Sequence, residues 1–133
     1  MTTKDFVKTW FAAIDAQKFD ELNNLMDNNH QFKNPMSPEP VGKEQHLGMI
    51  QMMTSALDGK HVLDTVLCDG DWVAIRGRWT GIHTGEFNGV PTTGNPVEFS
   101  WIDMMQISDG KLRQEFMEMN PMTIMEQITA VTK

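Results

Sequence analysis

Apolar residues in the first part of the chain recur at the three- and four-residue intervals of amphipathic helices. The clearest stripe covers residues 6–14, and Thr2 or Thr3 can cap a helix that begins there. A later stripe is followed by Gly59, which can serve as a C-terminal cap. The pattern therefore predicts helices over residues 3–14, 20–26 and 42–57, with a short strand at 30–35 before the third helix.

From residue 61 onward the period of the apolar residues changes to two, which is typical of strands. Asp109-Gly110 favours a two-residue type I′ turn, so the strands on either side of it are expected to form a hairpin. The segment 83–96 is rich in glycine and proline and is predicted to be a loop or an irregular hairpin. The predicted strands cover residues 61–69, 72–82, 97–108 and 111–120, and a last short helix covers 122–131.

This order of elements predicts an α+β fold. About three N-terminal helices would pack on one face of a curved antiparallel sheet, and helices and sheet together would enclose a cone-shaped pocket. The length of 133 residues predicts a single domain over residues 1–133.

The strand "EFSWIDMM" places a carboxylate on an apolar face, because Asp103 alternates with large apolar residues. If the following hairpin has no bulge, Asp103 lies opposite Phe116, and Trp101 lies opposite Glu118. A one-residue bulge would reverse the facing of every residue beyond it. The face predicted from the unbulged register carries Phe99, Trp101, Asp103, Met105, Phe116, Glu118 and Asn120.

An ionised carboxylate on that face is costly to bury unless it has partners. Without partners the pKa of Asp103 is expected to rise, which leaves a neutral acid that can donate a hydrogen bond at pH 7. Enolisation, ring-opening and aldol chemistry all use such donors. The alternative is a structural acid that bonds a Trp N–H or lies in water at the pocket mouth, and the sequence leaves both interpretations open.

Composition narrows the class of partner. A net charge of −7 argues against nucleic acid and against an anionic membrane surface.

The single cysteine, Cys68, excludes an internal disulfide and is expected in the core. His30, His46 and His61 lack the spacing of metal ligands, so neither a metal nor a cofactor is predicted. With no signal-type or membrane-length apolar run, a soluble protein of the reducing cytoplasm is expected.

The segment "GIHTGEFNGVPTTGNPVEFSWIDMMQISDGKLRQEF" resembles the SnoaL-like polyketide cyclase family of the NTF2-like superfamily. "WFAAIDAQKFDEL" and "FKNP" fit the same pattern, so the resemblance covers nearly the whole chain. It implies a conical α+β barrel, a pocket between sheet and helices, and often a homodimer formed through the sheet.

The resemblance also implies site residues. The aspartate that the aldol cyclases use on the last strand falls at Asn120. The neutral oxyanion-hole aspartate of the related ketosteroid isomerases falls at Asp103, their base at Asn34 and their oxyanion tyrosine at about Trp10. The strand register adds Glu118, on the predicted face of Asp103, as a candidate base, and His83 could reach the pocket mouth from the start of the glycine-rich loop. The predicted catalytic set is Asp103 as proton donor with Glu118 or His83 as base. The predicted ligand-binding residues are Trp10, Asn34, Trp101, Phe116 and Asn120.

Three functions fit these residues. The first is an enzyme acting on a mostly apolar, carbonyl-bearing small molecule. The second is a small-molecule-binding protein without catalysis, which Asn34 and Asn120 favour because neither amide exchanges a proton near neutral pH. The third is a dimerising interaction module whose pocket is vestigial. A titratable group across the pocket from Asp103 would favour the first.

Overall fold

A computed structural model describes residues 2–131 of the chain. Helices and strands follow the order predicted from the pattern, and the α+β class with a curved sheet is confirmed. The elements are α1 (Thr3–Asp15), α2 (Phe19–Leu25), β1 (Met26–Lys33), α3 (Lys43–Ala56), β2 (Leu57–Asp69), β3 (Trp72–His83), β4 (Pro96–Ser108), β5 (Lys111–Glu118) and α4 (Pro121–Ile128).

The five strands form one sheet in the order β1-β5-β4-β3-β2. Neighbours from β2 to β5 pair antiparallel, as the meander predicted, whereas β1 pairs parallel to β5. Buried side chains of α1 and α3 pack with the inner face of the sheet in one hydrophobic core. No helix within residues 2–131 is long and apolar enough to cross a membrane.

The first helix is stabilised by a capping box at its N-terminus and by one buried apolar face. The Thr2 side chain accepts a hydrogen bond from the Asp5 backbone, and the Asp5 carboxylate accepts one from the Thr2 backbone, which completes a capping box. Phe6 and Trp10, one turn apart, are buried completely or nearly so. The helix ends at Asp15, which lies beside the sheet at the start of β2.

The prediction that Gly59 caps the third helix was wrong. The helix ends at Ala56, and the chain continues from Leu57 directly into β2 in extended conformation. Gly59 lies within that strand, opposite Gly81. A Cβ at Gly59 would lie 2.2 Å from the Thr80 carbonyl oxygen and 2.4 Å from the Trp79 ring. Glycine is required there by close packing and not by a turn.

The predicted type I′ turn is confirmed, because Asp109 and Gly110 both have positive φ, 54° and 70°. The register beyond it differs from the prediction. Ile107 pairs with Leu112 but Gln106 pairs with Gln114, so Arg113 is an extra residue in β5. The Arg113 guanidinium lies 3.3 Å from Asp27 and 3.1 Å from Asp109. These two ion pairs accompany the bulge.

The bulge reverses the facing of the rest of β5. Asp103 lies opposite Met117 instead of Phe116, and Glu118 lies opposite Ile102 instead of Trp101. Phe116 and Glu118 therefore project from the outer face, where both are exposed, and Glu115 and Met117 face the inside.

The alternation predicted for β4 is confirmed. Trp101, Asp103 and Met105 are buried, and Ile102 and Met104 are exposed between them. The expectation that Cys68 lies in the core was wrong. Cys68 is exposed because it lies near the end of the edge strand β2, where residues 67–70 are all exposed.

Candidate functional site

A cavity of about 140 Å³ lies between the inner face of the sheet and the helices α1 and α3. Its wall is mostly aromatic and aliphatic, which is the ordinary character of small-molecule sites. The exposed residues Gln17, Met36 and Asp58 lie around its mouth. The apolar wall consists of Trp10, Phe11, Ile14, Phe32, Met49, Ile50, Met53, Leu57, Trp79, Phe99, Trp101, Met117 and Met119.

Two carboxyl groups form the polar part of the buried wall. Asp103 on β4 and Glu115 on β5 are 2% and 4% exposed and share a side-chain hydrogen bond. Burial, and then the charge of Glu115, hold the pKa of Asp103 well above its usual range. Burial also raises the pKa of Glu115, and the hydrogen bond from Asp103 partly offsets that rise. Asp103 therefore keeps its proton at pH values where an exposed carboxyl has lost it.

Several polar atoms at this part of the wall are left for a ligand. The indole Nε1 of Trp101 is buried, and so are Asp103 Oδ1 and Glu115 Oε1; apart from the contact between the two carboxyl groups, these atoms have no hydrogen-bond partner within residues 2–131. A buried polar atom without a partner costs free energy, of order 1–3 kcal/mol. A ligand oxygen that reaches these atoms would remove part of that cost.

Two histidines lie behind the carboxyl pair. His30 Nε2 is 2.9 Å from His46 Nδ1, and His46 Nε2 is 3.8 Å from Glu115 Oε1. The two imidazole planes differ by only 19°, and their centres are 5.1 Å apart. That geometry corresponds to an in-plane N–H···N hydrogen bond. His46 also stacks on Phe32, with ring centres 3.7 Å apart.

Both of these imidazoles are uncharged at pH 7. Burial lowers the pKa of His30 to about 4 and lowers that of His46 well below its usual value. With Glu115 they bring three potential metal-ligand atoms within 4.8 Å of one another. The rings, however, direct the nitrogen of one at the nitrogen of the other at hydrogen-bond length. As they stand, the side chains form a hydrogen-bonded chain and not a coordination site.

A second acid–histidine pair lies near the cavity mouth. His61 Nδ1 is 2.6 Å from Asp15 Oδ1, and the His61 backbone N–H donates to Asp15 Oδ2 at 3.0 Å. Both side chains line the cavity and are partly exposed, 16% and 19%. The His61 ring packs edge-on against Trp101, with centres 5.7 Å apart. The cavity wall therefore contains two separate pairs of side chains that can donate or accept a proton, Asp103 with Glu115 and Asp15 with His61.

Three of the residues predicted for the site line the cavity: Asp103, Trp10 and Trp101. Asn34 is buried at 5% exposure but does not line it. Its Oδ1 accepts a hydrogen bond from the Met36 backbone, and its Nδ2 has no partner within the described chain. Asn34 shapes the loop after β1.

The other predicted residues lie away from the cavity. Glu118 and Phe116 project from the outer face because of the bulge at Arg113. Asn120 caps α4, where its Oδ1 accepts from the Met122 backbone at 3.0 Å.

His83 is fully buried and does not reach the cavity mouth. Its Nδ1 lies 2.9 Å from Thr93 Oγ1 and accepts from the Thr93 backbone N–H at 3.2 Å. These bonds tie the two ends of the glycine-rich segment together, so the role visible for His83 is to hold that loop.

Sequence reasoning missed Glu115, His46, His61 and Asp15. The sequence does contain a pattern that points to Glu115. Met117 and Met119 follow it at every second position, and these apolar residues could have indicated the inner face of β5. The apolar Phe116 pointed to the opposite register. The histidines gave no signal, because their partners come from other elements that the sequence does not connect to them.

Comparison with known proteins agrees with this architecture. The family model of SnoaL-like polyketide cyclases matches residues 4–128. IdmH from Streptomyces antibioticus is 24% identical, with a TM-score of 0.86 and coverage of 98% of this chain and 100% of that one. A SnoaL-like polyketide cyclase from Agrobacterium tumefaciens is 20% identical, with a TM-score of 0.78 and coverage of 96% and 98%.

The fold is also shared with a protein of another kind. An epoxide hydrolase from M. tuberculosis, of the LEH-like type, is 12% identical, with a TM-score of 0.74 and coverage of 95% of this chain and 88% of that one. At these identities the structural likeness shows the fold alone. The search of curated proteins found no match to the chain.

Proposed function

Because the chain belongs to the SnoaL-like polyketide cyclase family, we propose that it is a cyclase- or isomerase-type enzyme for a mostly apolar, carbonyl-bearing small molecule. One observation carries the proposal. Asp103, whose pKa is held well above its usual range by burial and by the charge of Glu115, lies in the buried wall of an apolar cavity. A carboxyl with a raised pKa in such a cavity is typical of catalytic sites.

The cavity wall supports the choice of ligand class. Its extended aromatic and aliphatic surface favours an apolar body. The Trp101 indole N–H and the Asp103 carboxyl are the groups that a ligand oxygen would meet. A carbonyl oxygen accepts hydrogen bonds from both, whereas a hydrocarbon would leave both unpaired. One carbonyl on an apolar skeleton therefore fits the site best.

Asp103 would act on the carbonyl as it gains negative charge. When a proton leaves the carbon next to the carbonyl, the oxygen becomes an enolate, and a neutral acid beside it stabilises that charge or transfers its proton. Glu115 accepts a hydrogen bond from Asp103 in the free protein, and a ligand oxygen would replace Glu115 as the acceptor. The enol formed can be reprotonated at another carbon, which is isomerisation, or can attack a second carbonyl, which is cyclisation.

A simple ketone tests this proposal without knowledge of the natural substrate. 2-Tetralone is apolar and bicyclic, and deuterium uptake at its α-carbons in D₂O, followed by mass spectrometry, measures enolisation directly. The protein should accelerate uptake, and Asp103→Leu should lower the acceleration by about 100-fold or more, the usual cost of losing an oxyanion donor. Binding of 2-naphthol, which mimics the enol, is measured in parallel by fluorescence.

The two measurements separate the alternatives. Binding of 2-naphthol without any acceleration of exchange would overturn catalysis and favour a binding protein. Absence of both would overturn the small-molecule site itself.

We also propose that the chain forms a homodimer through the outer face of the sheet. This face exposes large apolar side chains on the neighbouring strands β4 and β5, and contiguous apolar patches are typical of interaction surfaces. Ile102 is 56% exposed, Met104 45% and Phe116 40%.

The proposed setting is the cytoplasm. Cys68 is free and exposed, and an exposed single thiol suits a reducing compartment. The proposed chemistry uses acid and base groups alone and calls for no cofactor.

A further inference from the structure

The proposed enolisation needs a base, and the cavity wall contains two histidines that could supply one. His46 lies behind Glu115, and His61 lies near the mouth, where it contacts Asp15. The two differ in how their ring nitrogens are used, and this difference identifies the one that is free to take a proton from a ligand.

Both ring nitrogens of His46 face other protein groups. Its Nδ1 is bound to His30, and its Nε2 is directed at Glu115. His61 uses only Nδ1, on Asp15, and its Nε2 has no hydrogen-bond partner in the part of the chain that the structure describes. Because Asp15 accepts the Nδ1 proton, neutral His61 carries its lone pair on Nε2. That is the tautomer which a general base requires.

The position of Asp15 is unfavourable unless a cation or a proton donor lies beside it. It is the last residue of α1, and a helix C-terminus carries partial negative charge. No basic residue lies in the last turn of α1 to compensate. The compensation comes from His61, 46 residues away in the sequence, through its ring and its backbone N–H.

We propose that His61, oriented by Asp15, is the base that removes the α-proton of the ligand, with Asp103 as the acid at the buried wall. This inference rests on the proposed function and completes it. Trp101 lies between the two groups, since its ring contacts His61 and it precedes Asp103 by two residues on the same face of β4.

The step balances in protons and electrons. The Cα–H bond of the ligand breaks, and its proton binds His61 Nε2. The bonding pair forms a carbon–carbon double bond, and the carbonyl π electrons move to oxygen, which accepts a hydrogen bond from Asp103. The products are an enolate bound to the still protonated Asp103 and an imidazolium paired with Asp15. His61 then returns its proton to another carbon, or to the oxygen of a newly closed aldol ring, and the neutral imidazole is restored.

The test compares three variants in the 2-tetralone exchange assay, with 2-naphthol binding as the check on fold and cavity. His61→Gln should slow exchange by about 100-fold or more, the usual contribution of a general base. Its affinity for 2-naphthol should stay within about threefold, because an amide can still donate to Asp15. Asp15→Asn changes the residue that positions His61. It should slow exchange by about 10-fold and shift the part of the pH–rate profile in which the base loses its proton.

Chemical rescue provides a readout that a structural role would not produce. In His61→Ala, added imidazole should restore exchange, whereas in Asp103→Leu it should not. The carboxyl groups that line the cavity together with His61, which are Asp15, Asp58, Asp103 and Glu115, are unchanged in the rescued protein.

Failure of the base assignment and failure of the proposed function give different results in these assays. Unaltered exchange in His61→Gln, with exchange lost in Asp103→Leu, overturns the base assignment and leaves the proposed function standing. No exchange in the unmodified protein overturns the proposed function, and this assignment with it.

Discussion

Asp103 and Glu115 share a hydrogen bond although neither lies opposite the other in the strand ladder. Asp103 pairs with Met117, and Glu115 pairs with Met105, so the two carboxyl groups are diagonal neighbours on one face. Like carboxyls in contact cannot both ionise without large repulsion, so the pair retains a proton. A neutral donor is thereby maintained inside an apolar cavity.

Because of the bulge at Arg113, Glu115 and Glu118 project from opposite faces of β5, so substitutions at these two positions should affect exchange differently. Glu115→Gln should lower 2-tetralone exchange by about 10-fold or more, because Asp103 loses the neighbouring charge that helps to keep its carboxyl protonated. Glu118→Gln changes the same kind of side chain on the outer face of the same strand, and exchange should remain unaltered. Equal losses in the two variants would contradict the structural register.

The carboxyl pair predicts a pH dependence of stability. The pKa values of Asp103 and Glu115 are raised in the folded state, so above about pH 4–5 the unfolded chain binds fewer protons than the folded one. Stability contributed by these groups is present at low pH and is lost as the pH rises through the folded-state pKa values. Each group contributes a slope of up to about 1.4 kcal/mol per pH unit within that window.

The matched protein is the double variant Asp103→Asn/Glu115→Gln, which lacks both acids. Its free energy of unfolding in urea, minus that of the unmodified protein, should increase from pH 5 to pH 8. A difference that stays constant over this range would show that the acids are not perturbed by burial.

Gly77 is predicted to be required by the Trp101 side chain. A Cβ at Gly77 would lie 2.6 Å from Trp101 Cζ2 and 2.7 Å from the Val62 carbonyl oxygen. Gly77→Ala should therefore destabilise the fold by about 1–3 kcal/mol and weaken 2-naphthol binding, because the indole must move. Urea unfolding and fluorescence measure the two effects.

Gly48 provides the control for this substitution. It lies within α3, and a Cβ there would meet nothing within 4 Å. Gly48→Ala should stabilise the protein by about 0.5–1 kcal/mol, since alanine is the better helix former. Stabilisation by both substitutions would refute the close contact with Trp101.

A charge introduced on the outer face of the sheet should break the proposed dimer. Met104→Glu introduces a carboxylate at a side chain that is 45% exposed at the centre of the apolar face. The mass measured by light scattering should fall from dimer to monomer, because the new charge would be desolvated in the interface. Met52→Glu, at a methionine 53% exposed on α3, should leave the dimer intact. A monomeric unmodified protein would exclude the dimer.

Much of the architecture followed from local sequence. Helix stripes, strand alternation and the Asp109-Gly110 turn are properties of neighbouring residues, and the structure has all of them. The buried, neutral character of Asp103 could also be expected from its alternation with Trp101 and Met105. The end of the third helix was misplaced, because Gly59 serves a contact with Trp79, whose indole lies across the strand pair.

The groups around Asp103 were decided by tertiary structure. One extra residue, Arg113, moves Glu115 inward and Glu118 outward, and the partners of its guanidinium, Asp27 and Asp109, lie outside β5. Asp15 meets His61 only when α1 packs beside the start of β2. Periodicity describes how a segment divides its own residues between two faces. Which face meets which distant side chain depends on strand register and helix packing, and these are set by contacts between segments far apart in the chain.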